Sequence, residues 1–215
     1  MPNHTSKEEP MDVARAIRTR RMVRSFDGSD LDEGLVRSVF DDGLRAPTAG
    51  NARGVHFVIL MGTNETSRYF DSATDETWRA TARRAPGLQR ASAVGVCVVD
   101  PSRYVGRYGE ADKAPSGLGG GEDRWPVPYW FGDAGAATMA VLLRAEEEGL
   151  AASFLGAFRN EAAIKRALMV PGPFRIYGAI LLGRPDGNDV RSPSLDLDGP
   201  SRADRLHRAS IGSWQ

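Results

Sequence analysis

A stretch of small and apolar residues from Asp133 to Gly149 constrains the fold of this chain most strongly. It reads Asp-Ala-Gly-Ala-Ala-Thr-Met-Ala-Val-Leu-Leu-Arg-Ala-Glu-Glu-Glu-Gly, so a helix here would carry apolar side chains on nearly every side. Such a helix is buried, and its small residues let other helices approach closely. Gly149 is a natural place for it to end. The residues alone are compatible with the central core helix of a monomer or with a helix at the core of a dimer.

Helical and extended patterns alternate along the rest of the chain. Amphipathic spacing predicts helices at Met11 to Thr19, Asp32 to Arg45, Glu65 to Arg84 and Glu161 to Leu168. Apolar runs predict strands at Val55 to Met61, Ala93 to Asp100, Ala152 to Ala157 and Arg175 to Leu182. Asp30 is the expected N-cap of the second helix, and Pro47 is its expected stop. This predicts an α+β or α/β fold, with a flexible tail at residues 1–10 and one domain over residues 11–215.

The charge balance argues against a nucleic-acid or membrane partner. Lys plus Arg and Asp plus Glu are 28 each, so a formal net charge of zero leaves no long-range field to attract a polyanion. The first ten residues lack an apolar signal region, and no stretch of about 18 apolar residues occurs. We therefore expect a soluble, cytoplasmic protein.

Metal and hydrolytic chemistries find no support in the sequence. His4, His56 and His207 have no metal-ligand spacing among themselves or with Cys97, the one cysteine, so no metal site and no Cys/His nucleophile pair are predicted. The G-x-S-x-G motif is absent. Cys97 stands in an apolar run and is expected to be an inert core residue.

Two short segments near the N-terminus together suggest a bound phosphate. Arg20, Arg21 and Arg24 place three fixed positive charges close together, and turn-forming residues follow from Ala46 to Asn51. Guanidinium groups offer paired donors that fit phosphate oxygens. From the charges alone, the alternative is that these arginines complement the C-terminal end of a helix dipole and face water.

A long glycine- and proline-rich segment runs from Pro101 to Pro128 and suggests a substrate lid. Long irregular segments in compact domains are usually functional or disordered. Its glycines do not complete a G-x-G-x-x-G pattern or a P-loop, which argues against a Rossmann-type dinucleotide site. Trp125, Tyr129 and Trp130 could stack on a planar substrate or nicotinamide, or could simply be packing residues.

Four fragments, in order, resemble the nitroreductase family of FMN-dependent homodimers over nearly the whole chain from residue 12. They are Arg20 to Phe26, Ala46 to Val55, Gly149-Leu150 with Phe154-Leu155-Gly156, and Ser201 to Trp214. Two positions depart from the family pattern, since Met22 replaces a usual serine and Ala52-Arg53-Gly54-Val55 replaces a stretch that ends in Gln-Pro-Trp. The Arg-Arg-Met-Val-Arg form is similar to an actinobacterial-type branch. Substrate choice is the property that these departures put most in doubt.

The resemblance implies a nitroreductase-like α+β fold, with a central, mostly antiparallel sheet flanked by helices in an intertwined homodimer. The apolar helix from Asp133 would pack against its twin. The implied activity is a ping-pong reaction, in which FMN takes hydride from NADPH or NADH and reduces a nitroaromatic, a quinone or another conjugated acceptor. Flavin N5 would perform the chemistry, so no catalytic side chain is expected.

The resemblance also implies roles for residues of this sequence. Arg20 and Arg202 would bind the FMN phosphate, Arg21 and Met22 would line the ribityl chain, and Arg24 would approach the pyrimidine edge. Backbone N–H groups of Leu155 and Gly156 would face flavin N5 and O4. The partner subunit would supply Pro47, Thr48, Ala49 and Asn51.

Two other functions stay open from the sequence. Relatives of this fold also run dehydrogenation, dehalogenation or flavin fragmentation, or use a deazaflavin. Alternatively, the chain is a non-catalytic flavin-binding or sequestering protein in which Arg53 and the Pro101 to Pro128 segment block access of an acceptor.

Overall fold

A four-stranded sheet forms the centre of the computed structural model, which describes residues 11–190 and 192–211. The strands are β1 (Val55–Met61), β2 (Ala93–Val99), β3 (Ala151–Gly156) and β4 (Arg175–Gly183). Their order is β1-β2-β4-β3, and every neighbouring pair is antiparallel. The antiparallel sheet and the predicted strands are thus confirmed, with ends that differ by a residue or two.

The register places the four strands side by side along most of their length. Val55 pairs with Val99, Ala93 pairs with Leu182, and Gly156 pairs with Gly178. β2 is buried along its whole length, because its residues face packed layers on both sides of the sheet. A register shift between Cys97 and Val98 interrupts the pairing of β2 with β4.

Eight α-helices occur in the described residues. They are α1 (Val13–Thr19), α2 (Glu33–Gly43), α3 (Gly62–Ala73), α4 (Glu76–Thr81), α5 (Ala85–Leu88), α6 (Pro101–Gly109), α7 (Tyr129–Glu147) and α8 (Glu161–Ala167). Asp12, Asp32, Asp75 and Asp100 cap the N-termini of α1, α2, α4 and α6, each accepting a backbone hydrogen bond. Short 3₁₀ turns fill several of the connections.

Helices cover both faces of the sheet. On one face, Phe40 of α2 and Val141 of α7 pack with Ile180 of the sheet. On the other, Phe70 of α3 and Ile164 of α8 pack with core residues of β2 and β4. Helix α2 comes so close to β2 that a Cβ on Gly95 would lie 2.1 Å from the Phe40 ring, so no larger residue fits there.

Three predicted helix boundaries were wrong. The N-cap of α2 is Asp32, not Asp30, because its carboxylate accepts the Leu35 N–H at 2.8 Å. α2 ends at Gly43, before Pro47. The expected helix from Glu65 to Arg84 is broken at Thr74, whose backbone is extended, and α4 starts anew behind Asp75.

Two descriptions of larger segments also need correction. The segment from Pro101 to Pro128 is not mainly irregular, since it begins with α6 and continues in three short 3₁₀ turns. α7 is not buried all round, because a stripe that includes Gly132, Ala136 and Met139 is exposed in the single chain. Burial on all sides is therefore not reached within one chain, and burial of this stripe against a second copy stays a prediction.

Candidate functional site

Three adjoining cavities form one trough beside β3. The arginine cavity, of about 560 Å³, lies between residues 20–24 and residues 185–195. The middle cavity, of about 580 Å³, shares Arg24 and Asp189 with it. The aromatic cavity, of about 800 Å³, is lined by Tyr69 and Phe158 among others and shares Trp78 and Leu155 with the middle cavity. The trough therefore runs from the N-terminal arginines to the end of β3.

Arg20 lines the arginine cavity with part of its guanidinium group buried. Its Nε and Nη1 atoms are buried and have no hydrogen-bond partner among the described residues. Buried guanidinium nitrogens without partners are costly, which argues against the alternative that Arg20 only faces water beyond the end of α1. An anion with several oxygens, such as a phosphate, would satisfy these donors.

Residues 22–24 are fixed along the outer edge of β3. The Val23 N–H donates to the Ala152 carbonyl at 2.9 Å, and the Phe154 N–H points to the Met22 sulfur at 3.4 Å. The Met22 sulfur thus contacts the backbone of β3, at a position where the family pattern usually has a serine hydroxyl. Because the backbone direction alternates along a strand, the N–H of Gly156 lies on this same outer edge.

Arg24 lies where the arginine and middle cavities meet. Its backbone N–H donates to Asp189 at 3.0 Å, and its Nη1 donates to the Met22 carbonyl at 3.3 Å. Burial lowers the pKa of Arg24, the positive charge of Arg84 lowers it further, and Asp189 opposes both effects. The Arg24 guanidinium therefore lies in a partly dehydrated and electropositive place.

Leu155 and Gly156 form the junction of the middle and aromatic cavities at the end of β3. Both are half-buried, and Gly156 pairs with Gly178 of β4. A Cβ on Gly178 would lie 2.6 Å from the carbonyl oxygen of Leu155, so the close approach of the two strands requires glycine there. The backbone at this junction is thus held firmly, as a cofactor-facing backbone donor would need.

The loop from Pro47 to Asn51 lies away from the trough in the single chain. It borders a fourth cavity, of about 560 Å³, whose lining has no residue in common with the other three. The Arg53 N–H donates to Thr48 Oγ1 at 3.0 Å, and Arg53 Nε donates to Asn51 at 3.1 Å. Gly50, Asn51 and Arg53 all have positive φ, which concentrates strain in this loop.

The remaining predicted site residues are spread over different surroundings. Trp125 and Trp130 are buried with Tyr104 in an aromatic cluster, so their rings belong to the core of the single chain. Tyr129 is half exposed at the start of α7. Arg202 is exposed beside a 3₁₀ turn and lines none of the four cavities.

Sequence reasoning missed part of the trough. Trp78, Arg83 and Arg84 line the middle cavity from the α4–α5 region, opposite Asp189 and Asn188. The adjacent arginines Arg83 and Arg84 were the one available signal. Their position next to β3 depends on the helix break at Thr74, which the helical pattern of the sequence did not predict.

The described residues hold no group of three or more His, Cys, Asp and Glu side chains that could bind a metal ion. No helix in the described part of the chain combines the length and apolar character needed to cross a membrane.

A model described as "Nitroreductase family" matches residues 17–184, which include the arginine cluster, all four strands and α7. The chain belongs to the nitroreductase family. This agrees with the resemblance seen in the first three sequence fragments, which lie within the matched residues, whereas the fourth, Ser201 to Trp214, lies beyond them.

Individual members of the nitroreductase family are similar to the chain over almost its full length. A protein of Archaeoglobus fulgidus, which bears the provisional name NADH dehydrogenase/NAD(P)H nitroreductase, is 23% identical over 198 residues, or 90% of this chain and 95% of that protein. Nitroreductase CinD from Lactococcus lactis, solved with nicotinic acid, matches with a TM-score of 0.72 at 16% identity, covering 93% and 100% of the two chains. A protein of Desulfovibrio desulfuricans provisionally named a nitroreductase, solved with FMN, matches at 0.60 and 20%, covering 90% and 99%. These structures support the nitroreductase fold.

Proposed function

We propose that this nitroreductase-family protein is an FMN-dependent NAD(P)H oxidoreductase that reduces a nitroaromatic, quinone or other conjugated small molecule. The observation that carries the proposal is the pair of buried, unpartnered guanidinium nitrogens of Arg20, which lines the arginine cavity of a trough that leads to Gly156. An FMN complex among the structural relatives adds support. Membership of an actinobacterial-type branch rests on the Arg20 to Arg24 motif alone.

The residues along the trough have the chemistry that the parts of an FMN molecule would need. Arg20 would bind the phosphate through its free donors, and Arg21 and Met22 would flank the ribityl chain largely through backbone groups. Arg24 would place its positive charge near the pyrimidine edge of the flavin, where negative charge develops on reduction. Gly156 would present its backbone N–H to the ring, whereas Leu155, whose N–H lies on the opposite edge and faces β4, would border the ring in another way. When bound, FMN supplies hydride transfer between a reduced nicotinamide and the acceptor in a ping-pong sequence.

A homodimer is part of the proposal because the single chain leaves apolar surfaces uncovered. Val13 and Ile17 of α1 are 71% and 53% exposed beside α7, whose Met139 is also exposed. In the C-terminal segment, Leu197 and Leu206 are 75% and 56% exposed. Apolar patches of this kind mark protein interfaces. A second copy would cover them, as the resemblance implies.

The dimer would complete each site with residues that lie outside the trough of one chain. Pro47, Thr48, Ala49 and Asn51 would come from the partner subunit and border the flavin. Arg202 is proposed as a second phosphate ligand on the resemblance alone, and this role requires the exposed C-terminal segment to pack in the dimer.

The aromatic cavity is the proposed position of the acceptor. Its lining is mainly apolar and aromatic, with Trp78 and Phe158 near Gly156, and such surfaces favour flat conjugated molecules. Tyr129 offers an exposed ring that could take part once the dimer forms, whereas Trp125 and Trp130 support α7 from within the core. The 101–128 segment is proposed to act as a structured substrate lid. Separately, the protein is proposed to be cytoplasmic.

The visible absorption spectrum of freshly purified protein tests the proposed function. We expect the visible absorption bands of an oxidised flavin, which should bleach under anaerobic conditions when NADPH or NADH is added. A protein that binds FMN but is reduced by neither nucleotide would contradict the reductase assignment and favour a flavin-sequestering role. A colourless protein that takes up no added FMN would contradict the cofactor assignment as well.

A further inference from the structure

The middle cavity carries more positive charge than a flavin alone would require. Its lining includes Arg24, Arg83 and Arg84, against a single carboxylate, that of Asp189. Asp189 is already engaged by the Arg24 backbone N–H at 3.0 Å. The cavity therefore offers an excess of cationic donors in the middle of the trough.

Arg83 and Arg84 have no counter-ion in the part of the chain that the structure describes. No ion pair within 4.0 Å and no side-chain hydrogen bond involves either guanidinium among residues 11–190 and 192–211. Arg79, on the same segment, contrasts with them because it bonds to the Thr74 carbonyl at 3.0 Å. Like charges that are held together in a partly closed cavity repel, and an anionic ligand would remove that repulsion.

The position of this pair distinguishes it from the phosphate end of the trough. Arg20 and Arg21 line the arginine cavity and not the middle cavity, whereas Arg83 and Arg84 line only the middle one. The same cavity reaches Trp78 and Leu155, which also border the aromatic cavity. An anion held by Arg83 and Arg84 would therefore belong to the molecule that lies over the flavin rather than to the flavin.

We propose that Arg83 and Arg84 form an anion subsite that binds a phosphate of the nicotinamide reductant. This inference rests on the proposed function. Both nicotinamide dinucleotides carry a pyrophosphate and NADPH adds a 2′-phosphate, and a guanidinium pair suits either group. Trp78 provides a flat neighbouring surface for an aromatic ring of the same ligand. The α4–α5 region would thus contribute directly to binding of the reductant.

Anaerobic single-turnover reduction of the FMN-loaded protein tests the subsite. The variants are Arg83→Ala and Arg84→Ala, with Arg37→Ala as control, because Arg37 is an exposed arginine on α2 that lines none of the four cavities. The hydride donors compared are NADPH, NADH and the uncharged N-benzyl-1,4-dihydronicotinamide. FMN affinity is measured for every variant.

We expect Arg83→Ala and Arg84→Ala each to lower the second-order rate constant of flavin reduction by NADPH or NADH about 10- to 100-fold, and Arg37→Ala to leave it unchanged. Reduction by the uncharged donor and FMN affinity should stay within about twofold of wild type, and Arg84→Lys should keep part of the rate because it keeps the charge. A loss with both nucleotides identifies the pyrophosphate as the bound group, and a loss with NADPH alone identifies the 2′-phosphate.

Three results would overturn the subsite. They are unchanged rates with both nucleotides, an equal loss with the uncharged donor, and a loss of FMN affinity that accounts for the change in rate. If the wild-type flavin is reduced while the variants match it, only the subsite fails. If no reduced nicotinamide reduces the wild-type flavin, the proposed function fails and the subsite fails with it.

Discussion

The hydroxyl of Tyr104 donates a hydrogen bond of 2.9 Å to Oδ2 of Asp133. The same oxygen accepts the backbone N–H of Ala49 at 2.8 Å, so one carboxylate joins α6, α7 and the loop from Pro47 to Asn51. Burial raises the pKa of Tyr104 and the neighbouring Asp133 raises it further, which keeps the hydroxyl protonated as a donor. The strained loop proposed to border the partner's flavin is therefore anchored through a buried polar contact.

Replacing Tyr104 by phenylalanine should weaken this anchor. Loss of the hydroxyl removes one of the two hydrogen bonds to Asp133 and should lower the free energy of unfolding by about 1 to 2 kcal/mol, measured by urea denaturation. FMN affinity should fall as well, because the loop loses part of its support. Tyr108→Phe is the matched control, since Tyr108 lies on the same helix and its hydroxyl has no hydrogen bond among the described residues. Equal effects of the two substitutions would contradict the anchor.

Cys97 should make the protein less stable at alkaline pH. Burial raises the pKa of its thiol from 9.0 to about 12, whereas the unfolded chain has the ordinary value. Between pH 9 and 12 the unfolded thiol loses its proton and the folded thiol keeps it, so the free energy of unfolding falls by about 1.4 kcal/mol per pH unit from this group. Tyr69, whose pKa is also raised to about 12, adds a similar loss above about pH 10.

Urea denaturation at pH 8, 9 and 10 separates the two contributions. Cys97→Ala should lower stability at pH 8, because it leaves a small cavity, but should flatten the decline between pH 9 and 10. The folded wild type should also resist iodoacetamide at pH 8. Rapid alkylation of the folded protein, or an unchanged slope in the variant, would show that the thiol is not held protonated by burial.

The sheet was predictable because its strands are continuous apolar runs. β2 and β4 pair with β-strands or pack under helices on every side, so Ala93 to Val99 and Arg175 to Gly183 contain little besides apolar residues. Helix α7 was predicted because its residues are also mostly apolar, although the exposure of its stripe in the single chain was not predicted. An apolar pattern reports which residues are apolar but not what covers them, and in the proposed dimer a second copy of the chain would cover the exposed face of α7.

The helix breaks and part of the site were beyond the reach of local patterns. The turn at Thr74 and Asp75 is set by capping. At α2, the expected cap Asp30 and the observed cap Asp32 are the same residue type two positions apart, so the sequence did not distinguish them. The phosphate role of Arg20 was predicted from the family resemblance, because its charge alone is also compatible with a helix end that faces water. Arg83 and Arg84 were not, because their place beside Leu155 is a consequence of how the α4–α5 region folds over the end of β3.

The exposed stripe of α7 should be sensitive to charge. Ala136→Glu would bury a carboxylate in the proposed dimer interface, which is unfavourable, and should shift the protein toward monomers in analytical ultracentrifugation. Bound FMN should be lost in parallel, since each site is proposed to need both chains. Ala162→Glu is the matched control, because Ala162 is an exposed alanine of α8 on another surface. A stable dimer in the Ala136→Glu variant would contradict this interface.

Arg20→Ala should affect the apoprotein and the FMN-bound protein in opposite ways. In the apoprotein the substitution removes two buried guanidinium nitrogens that lack partners, so the free energy of unfolding should stay the same or rise. FMN should bind about 10- to 100-fold more weakly, which corresponds to about 1.5 to 3 kcal/mol for hydrogen bonds to a charged group. The stabilisation that FMN gives the wild type at a fixed concentration should shrink by a similar amount.

Fluorescence titration with FMN and urea denaturation with and without FMN measure these effects. Arg18→Ala is the control, because Arg18 is an exposed basic residue in the last turn of α1 and lines none of the four cavities. Arg20→Lys should give an intermediate loss, since an ammonium keeps the charge but not the paired donors. A comparable loss in Arg202→Ala would support the second phosphate contact from the C-terminal segment. If Arg20→Ala destabilises the apoprotein and binds FMN as tightly as Arg18→Ala, then Arg20 holds the fold together and the phosphate lies elsewhere.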